Sequence, residues 1–224
     1  MSARDDILGR LRGALDAQTE RSVRVAAIKA RMDDPPRPPI PGRVADVDLT
    51  ETFRTRAEEI GATTTRVARL ADVGPAIAEH LRSRNLPSTV KTSPELSAWP
   101  LDLPPTVAVS AGRSHGDDPV TVVAARAAVA ETGTLMLTSG PTMPTTLNFL
   151  PEVHIVVLPT ARVVATYEQA WDKIRDKDPP GGILPRTVNF ITGPSRTADI
   201  EQTLLMGIHG PRHLYIILVD EDHE

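Results

Sequence analysis

The chain has 224 residues, a formal net charge of −4, and 25 Lys and Arg interleaved with 29 Asp and Glu. That suits one core with an appendage and presents no basic field of the kind nucleic-acid binding rests on. It contains no cysteine, which excludes disulfides, a thiolate nucleophile, a cysteine zinc site and a cysteine-ligated iron–sulfur cluster from this chain.

No apolar run approaches the ~18 residues of a membrane helix. Asp5, Asp6, Arg10 and Arg12 interrupt any signal-peptide core, so a cytoplasmic protein is expected. From the N-terminus, Ile7, Leu8, Leu11 and Leu15 fall at helical spacing within Arg4 to Leu15, and Arg21 to Met32 continues helically with few apolar residues. Five prolines between Asp33 and Gly42 sustain neither helix nor sheet. Residues 1–45 therefore read as a helical arm with a semi-rigid linker, packed on its own domain or docked on a partner.

Residues 46–224 read as one α/β domain. A helix is expected near Leu49 to Ile60, a strand near Thr64 to Ala68, a helix over Asp72 to Arg84, and short strands at Thr89 to Lys91 and Thr106 to Val109. Val120 to Ala130 is ambiguous, because Thr121, Val122 and Val123 favour strand while the alanines favour helix. Strands follow at Thr134 to Thr138, Val153 to Leu158 and Val163 to Ala165, then a helix over Thr166 to Arg175 and a last strand over Leu214 to Val219. Ligands of such sheets gather at strand carboxyl ends, which nominates the loops starting at Ser139, Pro159 and Gly193.

Between Val188 and Pro211 the pattern suggests strand, turn and helix. Val188 to Ile191 is the strand, Gly193-Pro194-Ser195 the turn, and Thr197 to Met206 a helix closed by Gly207. A helix starting there offers unpaired N–H groups and the hydroxyls of Ser195 and Thr197 to a carboxylate or phosphate. Equally, Ser195 or Thr197 is a plain N-cap, with Asp199 and Glu201 the acids any first turn favours.

The histidines do not form a metal site by spacing, since Gly210 and Pro211 separate His209 from His213. His154 reads as a core or edge histidine. No Gly-x-Gly-x-x-Gly or Walker-type loop announces a nucleotide, and Gly181-Gly182 lies in a proline-rich polar loop. A serine-hydrolase elbow around Ser195 is also absent. No cofactor and no metal is expected.

Three segments together resemble the LUD domain of bacterial lactate utilization proteins. They are Ala130-Glu131-Thr132-Gly133-Thr134-Leu135, the run Leu150 to Val157 containing Pro151, Glu152 and His154, and Ile191 to Glu201 closed by Gly207-Ile208-His209-Gly210-Pro211. The resemblance implies a NagB/RpiA/CoA-transferase-like α/β fold: a sheet flanked by helices. It further implies oxidation of L-lactate to pyruvate alongside iron–sulfur partners, LutA-like and LutB-like, with this chain a non-redox subunit. On that reading Glu131, Thr132, Gly133, Thr134, Ser139, Gly193, Ser195, Thr197 and Asp199 surround a small carboxylate. His209 is a candidate proton acceptor in lactate oxidation.

The implied superfamily also contains CoA transferases with a nucleophilic glutamate in a Glu-x-Gly setting, which Glu131-Thr132-Gly133 resembles. Glu131 is thus a nucleophile, a ligand contact or a structural acid. The alternatives to the lactate reading are an acyl or CoA transferase using Glu131, and a metabolite-sensing interaction module docking through its arm. The loop Pro141 to Phe149 contains no basic residue. If arginine clamps the substrate carboxylate in relatives, then Arg113, Arg162, Arg186 or Arg196 must substitute.

Overall fold

The computed structural model describes residues 3–16, 21–34, 39, 42–175, 184–200 and 203–221. Most of the proline segment, the Gly181-Gly182 loop and Glu201 lie outside them. The chain divides into two compact units, Met1–Pro39 and Ile40–Glu224. The first contains α1 (Ala3–Asp16) and α2 (Arg21–Asp33). Their larger apolar side chains, including Ile7, Leu11, Val25, Ile28 and Met32, are exposed.

In the second unit, three apolar runs form the middle of a six-stranded sheet. Continuous burial on both faces is what makes a strand of a parallel sheet apolar throughout rather than alternating. The sheet order is β1 (Thr63–Val67), β12 (His213–Val219), β7 (Val153–Pro159), β4 (Val120–Ala124), β2 (Thr89–Thr92) and β3 (Ala108–Ala111), and every pairing is parallel. Side chains alternate between two cores. Val153, Ile155 and Val157 face α4 (Val73–Ser83) through Val73, Ile77 and Leu81, whereas Val156 and Leu158 face α3 (Leu49–Glu59) through Phe53 and Ala57. Burying side chains of that size contributes roughly 1.5–3 kcal/mol each.

A second sheet packs on the α3 side. Its order is β8 (Val163–Val164), β5 (Ala127–Val129), β6 (Thr134–Thr138) and β9 (Val188–Ile191), with β6 antiparallel to both β5 and β9. Its other face carries α6 (Tyr167–Arg175) through Ala170 and Ile174. The α/β expectation therefore holds, as a mostly parallel central sheet flanked by helices.

The ambiguous run Val120 to Ala130 resolves into two strands in different sheets, β4 and β5, separated at Ala125-Arg126. A short helix, α5 (Thr146–Phe149), follows the loop after Ser139.

One element differs in kind from its expectation. Thr197 to Met206 is not a helix: β10 (Arg196–Ile200) and β11 (Thr203–Met206) form an antiparallel hairpin, pairing Arg196 with Met206, Thr197 with Leu205 and Ile200 with Thr203. The β-branched Thr197, Ile200 and Thr203 suit a ladder. The two ends of the excursion are tied together, since Ser195 N–H donates to the Pro211 carbonyl (2.8 Å) and Gly207 N–H to the Ser195 carbonyl (3.0 Å). Gly207, at φ +82°, turns the chain out of β11 rather than capping a helix. With no helix, no N-terminal dipole or array of free N–H groups exists at Ser195 and Thr197.

Candidate functional site

The expected pocket splits along β6. β9 runs antiparallel to it with Leu135 opposite Ile191 and Thr138 opposite Val188, so Gly193 lies beyond the Thr134 end and Ser139 beyond the other. Five residues of strand, about 16 Å, separate Thr134 from Ser139.

At the Thr134 end, four hydroxyls satisfy one another. Thr132 Oγ1 and Thr134 Oγ1 are 2.7 Å apart, each is 3.0 Å from the Tyr167 hydroxyl, and Thr134 Oγ1 is 2.7 Å from Thr192 Oγ1. Thr134 is fully buried. The cluster joins β6, α6 and the end of β9.

The glycines beside it allow close approach of backbone. A Cβ on Gly133 (φ +66°) would stand 2.6 Å from Ala57 N and 2.7 Å from Arg56 C, and one on Gly193 (φ +76°) 2.8 Å from the Ile60 carbonyl. Gly133 thus seats α3 against the second sheet. The backbone N–H of Glu131 donates to the Ala165 carbonyl (3.2 Å), and Glu131 lines neither of the two cavities described next.

At the Ser139 end lies a cleft of about 930 Å³ whose wall includes Arg113, Arg126, Arg186, Ser139, Thr145 and Thr146. No acidic residue lines it among the described residues. Its position follows from topology. In the parallel sheet β2 continues outward to β3 while β4 continues the other way toward β7, a switch point of the kind at whose carboxyl ends ligands bind. Arg113 follows β3 and Arg126 follows β4.

Arg113 and Arg186 are exposed at the mouth and Arg126 is half-buried, its guanidinium donating to the Lys173 carbonyl (3.1 Å). Among the described residues none of the three pairs with a carboxylate. Ser139 Oγ accepts from Thr187 N–H (2.9 Å), and the buried Thr146 hydroxyl has no partner. Three guanidinium groups, the unpartnered Thr146 hydroxyl and no acid among the described lining give the cleft the forked donors that match carboxylate or phosphate geometry.

The other two arginines named from sequence are engaged elsewhere. Arg162 donates to the Ala125 carbonyl (2.8 Å) and lies over the Trp99 ring (5.1 Å). The Arg196 guanidinium donates to the Ile60 carbonyl. Arg126, which the sequence pattern does not nominate, is a lone charge between Ala124-Ala125 and Ala127-Ala128, and the fold brings it to the cleft wall.

Gly193 and Ser195 line a different cavity of about 310 Å³, together with His154 and His209. His209 N–H donates to Ser195 Oγ (3.3 Å), and the His209 residue itself is exposed. His154 is buried, and burial alone pushes its imidazole down to about 3, so the ring is neutral at ordinary pH. Thr197 and Asp199 lie on the β10 backbone; their side chains are outside the described residues. Among the described residues no group of three or more His, Asp or Glu is placed to hold a metal ion. No helix among them is long and apolar enough to cross a membrane.

Fold and cleft together define an α/β protein with an arginine-lined cleft. Residues 117–219 match the family model of the LUD domain, which bears out over that segment the resemblance read from the three motifs. Within curated proteins the chain is 41% identical over 93 residues to lactate utilization protein C of Geobacillus thermodenitrificans, covering 41% of this chain and 39% of that protein. It is 39% identical over 93 residues to lactate utilization protein C of Bacillus subtilis, covering 42% and 39%. The match thus spans about two fifths of these relatives' length. A crystal structure of a DUF162 family protein from Deinococcus radiodurans shares the fold, with a TM-score of 0.56 at 23% identity over 77% of this chain and 96% of that one.

Proposed function

We propose that this chain is a non-redox component of an L-lactate utilization system, and that its arginine cleft binds a small carboxylate such as lactate or pyruvate. The observation that carries the reading is the convergence of Arg113, Arg126 and Arg186, with no acid among the described lining, at the switch point of the sheet. The names of the relatives supply the pathway.

Oxidising lactate to pyruvate removes two electrons and two protons, which an acceptor must take. A chain without cysteine holds no cysteine-ligated cluster, so the acceptor on this reading belongs to iron–sulfur partners, LutA-like and LutB-like. A cleft of about 930 Å³ is far larger than a three-carbon acid, and its exposed mouth leaves room for a partner's group beside the bound substrate. A NagB/RpiA/CoA-transferase-like relationship is part of the same proposal, supported by the parallel sheet with helices on its flanks.

Reconstitution tests it. The purified chain alone is expected not to oxidise L-lactate, and adding it to the two partner proteins is expected to raise their lactate-oxidising activity. Arg186→Met is expected to raise KM with little change in kcat, because uniform substrate binding is lost. Lactate oxidation by the isolated chain refutes the subunit reading. The transferase alternative gains no observation: the one glycine beside Glu131 is occupied in packing against α3.

A further inference from the structure

We propose that the cavity between the last turn of α4 and the start of β12 is a second binding site, built for a small tetrahedral dianion such as sulfate or phosphate. His80, Arg84 and His213, each able to carry a positive charge, line it, and no acidic residue does among the described residues. It shares no lining residue with the arginine cleft and lies at the other end of the parallel sheet, where Thr63 begins β1, Val153 begins β7 and His213 begins β12.

The fold brings the three together. His80 and Arg84 stand four residues apart at the end of α4, and so share a helix face. The His80 ring lies flat on Tyr215, with ring centroids 3.9 Å apart and planes within 6°. His213 and Tyr215, two apart on β12, point to the same side of the sheet, the side that α4 covers. His80 is half-buried, and Arg84 and His213 are exposed at the rim.

The electrostatics separate this cluster from ordinary helix capping. A helix C-terminus favours cations and by itself would hold the His80 imidazole charged more readily. Instead His80 is held down to about 4, by burial first and then by Arg84 and His213. Those two groups and Tyr215 face it from α4 and β12, and no carboxylate among the described residues offsets them. On the same helix Arg82 pairs with Glu79 (2.6 Å), and just before it Arg69 pairs with Asp72 (2.9 Å), whereas Arg84 pairs with no carboxylate among the described residues. In a chain of net charge −4, this cluster lacks its counter-charge. A dianion supplies it, and His80 takes up a proton as the dianion binds. Both nitrogens of the charged ring donate, so no choice of tautomer enters.

Size and charge narrow the ligand. The cavity, about 170 Å³, is below the roughly 300–1,000 Å³ of pockets that enclose drug-sized molecules. Arg84 beside the two imidazoles repels a metal ion. A carboxylate brings one charge and two oxygens to three donor groups, whereas a tetrahedral dianion brings two charges and an oxygen for each.

The test uses the full chain labelled at the histidine ring nitrogens and titrated at pH 6 with sulfate, which stays a dianion there. The His80 signals, assigned by their loss in His80→Gln, are expected to move saturably from neutral toward charged positions. Chloride at equal ionic strength and acetate are expected to leave them in place. The readout is local to His80, so an anion held in the arginine cleft does not register. Arg84→Met, at an exposed position, is expected to weaken sulfate binding about tenfold or more. Inorganic phosphate and O-phosphoserine, titrated in the same way, separate a free ion from a phosphorylated group by which binds more tightly. A sulfate response no greater than that of chloride or acetate, or unchanged affinity in Arg84→Met, overturns the proposal. The comparison of anions in the unaltered protein stands even if the variant fails to fold.

Discussion

Replacing His154 with phenylalanine, a ring of similar shape that takes no proton, is expected to remove a defined part of the protein's acid sensitivity. Burial holds the folded-state imidazole down to about 3, against an ordinary 6.5. A histidine depressed in the fold is fully stabilising only above its unfolded pKa. As pH falls through 6.5 toward 3 the unfolded chain takes up a proton that the folded chain refuses, and stability declines by about 1.4 kcal/mol per pH unit. Between pH 7 and pH 5 that amounts to about 2 kcal/mol.

Urea unfolding at both pH values measures it. The unaltered protein should lose about 2 kcal/mol more than His154→Phe over that interval, whatever their relative stability at pH 7. His80 is also held low, to about 4, by burial first and then by Arg84 and His213. It shifts stability in the same direction but is present in both proteins, so it cancels from the difference. A gap between the two proteins that does not change with pH would refute the reasoning.

Gly133→Ala forces a Cβ to within 2.6 Å of the Ala57 backbone nitrogen at a positive φ; the expected loss is about 1–3 kcal/mol or more, read as a lowered urea midpoint. Thr134→Val removes the hydroxyl that bridges Thr132, Tyr167 and Thr192. It should cost about 1–2 kcal/mol of stability with lactate affinity unchanged. Lost affinity at unchanged stability would instead make the hydroxyl cluster a ligand site.

What the sequence made legible was decided by local signals. The apolar runs at Val153 and Leu214 are legible as strands, and their burial on both faces explains why they are apolar throughout. The hairpin at Arg196 to Met206 reads as a helix in sequence because Asp199 and Glu201 after Ser195 imitate a helix first turn, whereas Ser195 bonds to Pro211 and Gly207, partners far off in sequence.

The strands β6, β8 and β9 of the second sheet are legible in the sequence, but β5 and the pairing that joins them are not, for a related reason. β5 is three residues of alanine and valine, whose state is set by pairing with β6 and β8. Without the antiparallel pairing of β6 and β9, nothing separates Ser139 from Gly193. The sequence points to a helix terminus for anion binding, whereas the arginines of the cleft sit in loops that only the topology brings together. The sequence nominates Arg113 and Arg186 as substitutes for a missing arginine, whereas Arg126 lies in a run whose secondary structure the sequence leaves open.

Calorimetric titration of L-lactate and pyruvate into the purified chain tests the central claim, with Arg113→Met and Arg186→Met as comparisons. Both arginines are exposed, so the fold should tolerate their loss. The cleft reading predicts saturable binding to the unaltered chain, weakened about tenfold or more in the double variant, since hydrogen bonds to a charged group contribute roughly 1.5–3 kcal/mol. Unchanged affinity in the double variant, or binding abolished by His154→Phe instead, would contradict it.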